Sequence, residues 1–237
     1  GKIRAYLCLE QPIKGEFFMI RSLNTVNRNM NILQTKQENL SANISNVNTP
    51  GYKFQQTVQR TLETQQMVNY TDGPDADRRR ELGFYVFGNE IEGIHKNFSQ
   101  GNLIETKLPT DYAIVGNGFF TVEMPDGTIA YTRNGNFKLN EENQLVTMEG
   151  YLVLDQISDF ENYEALNRIG DTLFTSNIAP NIIEAELMQG FLESSNVDVV
   201  DELVKMIEIA REFGANQKIL HAADETLNKA VNEVGRV

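Results

Sequence analysis

Tryptophan is absent from these 237 residues, cysteine occurs once, at Cys8, and histidine only at His95 and His221. A single thiol excludes an internal disulfide framework. The two histidines lie far apart, and neither has a second His or Cys at ligand spacing, so no metal site is expected. Positive charge is scarce as well. Against 33 Asp and Glu stand 21 Lys and Arg, a formal net charge of −12, and no basic face is left to neutralise a nucleic-acid backbone. The short run Arg78-Arg79-Arg80 sits among Asp72, Asp75, Asp77 and Glu81 and reads as a solvated loop rather than a phosphate site. No apolar run approaches the roughly 20 residues needed to cross a bilayer, and residues 1–18 lack the pattern of a cleaved signal peptide.

Catalytic patterns are equally thin. Glu123, Asp126, Glu141 and Glu142 fall in turns or strand ends, and nothing ties two of them to one cleft. Ser194 and Ser195 have no histidine nearby and suit a helix cap better than a nucleophile. Gly116-Asn-Gly118 runs straight into Phe119-Phe120, which marks a hairpin turn rather than a phosphate loop. The expectation is a chain with no catalytic residue, no cofactor, no metal and no small-molecule substrate.

What the chain does have is a folded composition, 41% hydrophobic with 23% charged residues, enough for one or two cores. Apolar residues recur at Leu23, Val26, Met30, Leu33, Leu40, Ile44 and Val47, an alternating three-and-four spacing interrupted at Gln37. That repeat predicts a helix from about Ile20 to Val47 with a narrow, coiled-coil-like seam. Thr49-Pro50-Gly51 ends it. Residues 54–70, with Phe54, Val58, Leu62, Met67 and Val68, read as a second, weaker helix or an irregular strand. The turn-rich loop Thr71–Asp77 is the candidate boundary that follows.

From Leu82 the pattern becomes β. Short runs at Phe84–Phe87, Tyr112–Val115, Phe119–Glu123, Ile129–Thr132, Phe137–Leu139, Gln144–Thr147 and Tyr151–Leu154 are separated by turns such as Pro125-Asp-Gly127 and Asn134-Gly135. Such spacing predicts hairpins in an antiparallel sheet or small barrel. The last segment is helical again, with Ser194-Ser-Asn196 as a cap-like cluster and Asp198, Asp201 and Glu202 in the first turns. Val200, Leu203, Ile207, Ala210 and Gly214 form one seam. Leu220, Ala223, Leu227, Ala230 and Val234 restart one residue out of step, which predicts a second seam turned away from the first. The fold class is α+β: a discontinuous, coiled-coil-like helical domain from both termini with an all-β antiparallel domain inserted. Residues 19–75 would pair with 187–237, and 76–186 would form the β-domain.

Three blocks of motifs carry a resemblance. Ser41–Lys53, closing on Asn48-Thr-Pro-Gly-Tyr-Lys53, is similar to the N-terminal signature of bacterial flagellar rod and hook proteins, whose start Met19-Ile-Arg-Ser-Leu23 also resembles. Phe98-Ser-Gln-Gly-Asn-Leu103, Gly116–Val122, Pro125-Asp-Gly-Thr128, Tyr131–Phe137 and Leu145–Tyr151 resemble that family's β-domain in order and spacing. Gly190–Val197 and Val199–Ile207 resemble its C-terminal signature. One departure follows Leu154, where only a short stretch precedes Arg168-Ile-Gly-Asp171 and the β-domain looks shortened. Residues 1–18 fall outside the resemblance and read as an upstream or non-native extension. The resemblance, closest to rod subunits, implies a structural protein of the flagellar basal body. Such subunits are exported without a cleaved signal and stack helically with copies of themselves and other rod or hook subunits into the axle that carries torque to the hook. On that reading Leu23, Val26, Met30, Leu33, Leu40, Ile44, Val47, Val200, Leu203, Ile207, Leu220 and Leu227 are the self-assembly seams. Two other classes stay open: an adhesin-like binding module with its β-domain on a helical stalk, and a hydrolase using turn carboxylates.

Overall fold

The computed structural model describes residues 21–70, 79–86 and 88–234. The expected extension at 1–18, with Cys8, and the loop at 71–77 fall outside them. The chain opens with α1 (Arg21–Ser45), continues through sixteen described strands, and closes with α2 (Val199–Val234). Neither glycine nor proline interrupts α1. It ends as Asn46 folds back, its side-chain amide and its N–H both donating to the Ala42 carbonyl. Pro50 then bars further helix, and Gly51 turns the chain at a φ of 70°. That turn has no room for another residue: a Cβ on Gly51 would lie 2.3 Å from the Asn134 nitrogen.

Residues 54–70 form strands, not a helix. Next come β1 (Gln55–Thr61), β2 (Gln65–Tyr70), β3 (Arg79–Tyr85) and β4 (Asn89–Lys96). β1 pairs antiparallel with β4, and β2 with β3, and the Leu62 N–H donates to the Gly88 carbonyl between the two ladders, so the described residues of 55–96 make a nested two-stranded ribbon. Strand structure therefore begins at Gln55, well before the expected boundary at 75/76. The sequence hides it because β1 is polar at every position but Val58, so it shows no apolar alternation.

The central part contains β5 (Leu103–Glu105), β6 (Tyr112–Val115), β7 (Phe119–Glu123), β8 (Ile129–Thr132), β9 (Phe137–Leu139), β10 (Leu145–Thr147), β11 (Leu152–Asp159), β12 (Leu166–Arg168), β13 (Leu173–Ser176), β14 (Asn181–Ile183), β15 (Glu186–Gln189) and β16 (Phe191–Glu193). The main sheet is antiparallel, in the order β12-β13-β8-β7-β11-β10-β9, with β14 also on β11. β15 pairs with β6 and β16 with β5, which brings the chain back to the helices. The shortened stretch after Leu154 is accommodated by β11 running eight residues, to Asp159.

β7 is buried on both faces, so its two adjacent phenylalanines feed separate cores. Phe119 packs with Tyr131, Phe160, Leu166 and Phe174, while Phe120 packs with Ile114 and Phe137. Edge-to-face rings hold the first cluster, with Phe98 5.3 Å and Phe119 6.1 Å from Phe174 between centroids. A third cluster, Leu33, Leu40 and Ile209 with Met206 and Phe213, joins α1 to α2. Phe174→Ala, which empties the centre of the first cluster, is expected to destabilise the β part by roughly 3–5 kcal/mol. Urea unfolding checks this, and an unchanged midpoint would mean that cluster does not govern stability.

Candidate functional site

Helices and sheet meet at a junction built from residues scattered over the whole chain. Glu193, at the end of β16, is fully buried. Its Oε1 accepts from Lys53 Nζ at 2.6 Å and from the Gly101 N–H at 2.9 Å. Its Oε2 lies 2.9 Å from Arg133 Nε as an ion pair. Lys53 also donates to the Ser99 carbonyl, and Arg133 to the carbonyls of Gly118 and Gly116. Burial pulls the Lys53 ammonium below the usual lysine range, and the Glu193 carboxylate opposes that pull. Burial likewise lowers the Arg133 guanidinium. With one carboxylate between two cations, the net buried charge is positive, and the carbonyl acceptors compensate for lost solvation.

A second polar centre lies beside it. Asn43 donates to the Gln55 carbonyl at 2.8 Å and to Glu202 Oε2 at 2.9 Å, while its oxygen accepts from the Tyr52 hydroxyl and the Gln55 N–H. One amide thus ties α1, β1 and α2 together. Glu202 is fully buried and takes its remaining bond from Lys205 at 2.7 Å. Burial raises the Tyr52 phenol, and the Arg168 guanidinium, 4.9 Å from its ring centroid, works against that rise. Asn196 fills the end of the β1–β4 ladder: its oxygen accepts from the Phe54 N–H and its nitrogen donates to the Asn97 carbonyl. The cap of α2 is Asp198, which accepts from the Val200 and Asp201 N–H groups. The expected cap cluster Ser194–Asn196 is instead part of the junction.

The predicted seam residues separate into three groups. Leu33 and Leu40 are buried against Ile209, and Leu23, Val26, Met30, Ile44 and Val47 are half-buried along α1. Val200, Leu203 and Ile207 are 69%, 46% and 54% exposed, and Val204 joins them at 50%. These four form an apolar stripe over the first turns of α2. The face of α2 turned inward runs Glu202, Met206, Ile209, Phe213, Asn216, Leu220 and Ala223, alternating four and three. Leu220 therefore continues the inward line rather than opening a further face. The side chain of Leu227 lies outside the described ones. The one-residue break in the sequence is a change from the outward stripe to the inward line, hidden because Glu202 and Asn216 occupy core positions. The junction residues Asn43, Lys53, Arg133, Glu193 and Glu202 went unread for the same reason: they are polar, and polar residues signal surface.

Comparison with known proteins follows this geometry. Residues 23–53 match the model described as flagella basal body rod protein, 113–171 the flagellar hook protein FlgE/F/G D1 domain, and 188–233 the flagellar basal body rod FlgEFG protein C-terminal. The chain is similar to the flagellar basal-body rod protein FlgG of Borreliella burgdorferi, 32% identical with 90% of this chain and 98% of the relative covered. It is similar to FlgG of Buchnera aphidicola subsp. Schizaphis graminum, at 31% with 89% and 98% covered. The flagellar hook-basal body complex protein FlhO of Bacillus subtilis is 30% identical, with 92% and 100% covered.

Removing the shared carboxylate would leave two buried cations without a counter-charge. Glu193→Ala is expected to cost about 3–5 kcal/mol, measured by denaturant unfolding. A loss of the size typical of a surface ion pair, about 1 kcal/mol or less, would show that the junction tolerates water.

Proposed function

This chain belongs to the family of flagellar basal-body rod and hook proteins, and we propose that the outward stripe of α2, with the seam of α1, is where it joins neighbouring subunits. It is a structural subunit of the rod of the bacterial flagellar basal body. On this reading the helices from both ends associate in a coiled-coil-like manner with copies of the chain and with other rod or hook subunits. The contact is between unlike surfaces, does not close, and so builds a helical tube that transmits torque. The subunit is exported through the flagellar export apparatus, and its role is mechanical rather than enzymatic.

The observation that carries this reading is the stripe Val200, Leu203, Val204 and Ile207, exposed on a helix whose other face is already satisfied by α1. Four large aliphatic side chains on adjacent turns are costly to leave in water. At about 25 cal/mol per Å² of apolar surface, covering them favours association.

The substitution to make is Ile207→Asp. Because Ile207 is exposed, the isolated subunit should keep its stability to within about 0.5 kcal/mol, while incorporation into the rod and motility are lost. Normal motility would sink the assembly surface. Leu33→Asp is no test of assembly, since Leu33 is 1% exposed in the α1–α2 core, and the change should unpair the helices. Hydrogen exchange on the isolated subunit should also find both helices less protected than the main sheet. Equal protection would mean that neighbours are not needed to order them.

A further inference from the structure

A cleft of about 900 Å³ opens between β4 and the turn at residues 161–164, lined by residues 92–99 of the ribbon, Asn117, and Glu161 to Glu164. Its wall is a strand edge. Among the described residues β4 pairs with β1 alone, and no strand of the main sheet pairs with it. The Asn97 N–H donates to the Phe54 carbonyl, so these two residues form a hydrogen-bonded pair. Alternation along the register then makes Gln56/His95 and Val58/Gly93 the other such pairs. Ile94 and Lys96 are the positions between, and they turn their N–H and C=O groups away from β1 toward the cleft.

The cleft has a chemical character. Glu92, Glu161 and Glu164 stand around it, and Lys96 is engaged by the Leu166 carbonyl. Val58 and Ile94 supply exposed apolar surface, Ile94 at 48%. An extended segment with basic residues and a large apolar side chain fits such a wall: main-chain bonds supply affinity, and the acidic rim selects charge.

The chain itself carries such a segment. β3 is extended, pairs among the described residues with β2 alone, and begins Arg79-Arg80, part of the basic run in an acidic protein. Phe84 on β3 is 71% exposed, and Val86 just beyond it is exposed too. Within one molecule β3 is held against β2. The occupant of the cleft therefore comes from elsewhere. We propose that the open edge of β4 is a strand-addition site, filled in the assembled state by β3 of a second copy of this chain. The donor and acceptor surfaces differ, so the contact repeats without closing. This rests on the assembly reading and adds to it a second, β-mediated contact, independent of the helices.

The test uses the full chain and a labelled peptide of residues 79–86, Arg-Arg-Glu-Leu-Gly-Phe-Tyr-Val. Binding is followed by fluorescence anisotropy, and amide protection by hydrogen exchange. The expected result is saturable binding that protects the Ile94 and Lys96 amides. It should weaken about tenfold when Glu161→Lys and Glu164→Lys are combined, and weaken with added salt. Ile94→Pro removes only the outward-facing donor and should abolish binding while the β1–β4 amides stay protected. No binding at millimolar peptide overturns the proposal, as does equal binding by a scrambled peptide or by the Ile94→Pro chain. Incorporation into the rod separates the two claims. Normal incorporation of Ile94→Pro alongside failure of Ile207→Asp would overturn strand addition and leave the helical assembly surface standing.

Discussion

The buried carboxylate of Glu193 is the constraint on which the arrangement of the parts depends. It draws Lys53 from the end of the first helical segment, Arg133 from the loop after β8, and the Gly101 backbone from the ribbon's exit to a single point. An isolated ion in such a place would cost several kcal/mol in lost hydration. The geometry is therefore demanding, because each donor must be present for the others to be tolerated. That demand fixes the direction in which α1 leaves the sheet. It explains why Gly51 has no room for a side chain, since its own N–H donates to the Glu193 carbonyl at 2.8 Å.

Asn43 extends the same logic to the helices. By bonding β1, Tyr52 and Glu202 at once, it fixes the rotation of α1 about its axis and the start of α2 relative to it. Once those are set, α2 has one side committed to Leu33 and Leu40, and its other side faces outward by geometry alone. The exposed stripe from Val200 to Ile207 follows from where two polar side chains are anchored.

Much of this was legible beforehand. The two helices and the antiparallel β part follow from local patterns: a three-and-four repeat, short β-branched runs, and turns such as Pro125-Asp-Gly127 between β7 and β8. Asn134-Gly135 and Gly116-Asn-Gly118, read as hairpin turns, instead join β8 to β9 and β6 to β7, which do not pair. The ribbon was not legible, because Val58 is the one apolar residue of β1 and its pairing partners lie as far on as Lys96 is from Gln55. The inward line of α2 went unread for the same kind of reason. Glu202 and Asn216 occupy inward positions, and Asn43 and Lys205 are the partners that make a buried glutamate acceptable there.

By itself the sequence determined the class of fold and the family. Those depend on neighbours along the chain, and periodicity and motif order record such neighbours faithfully. Tertiary structure alone decided that the motif blocks meet at one buried ion pair network, which face of α2 is left to solvent, and that β4 keeps an open edge. These depend on residues far apart in the chain, Lys53 and Glu193 by 140 positions and Asn43 and Glu202 by 159, and a charge or an amide in a sequence does not say whether a partner will be waiting when the chain folds.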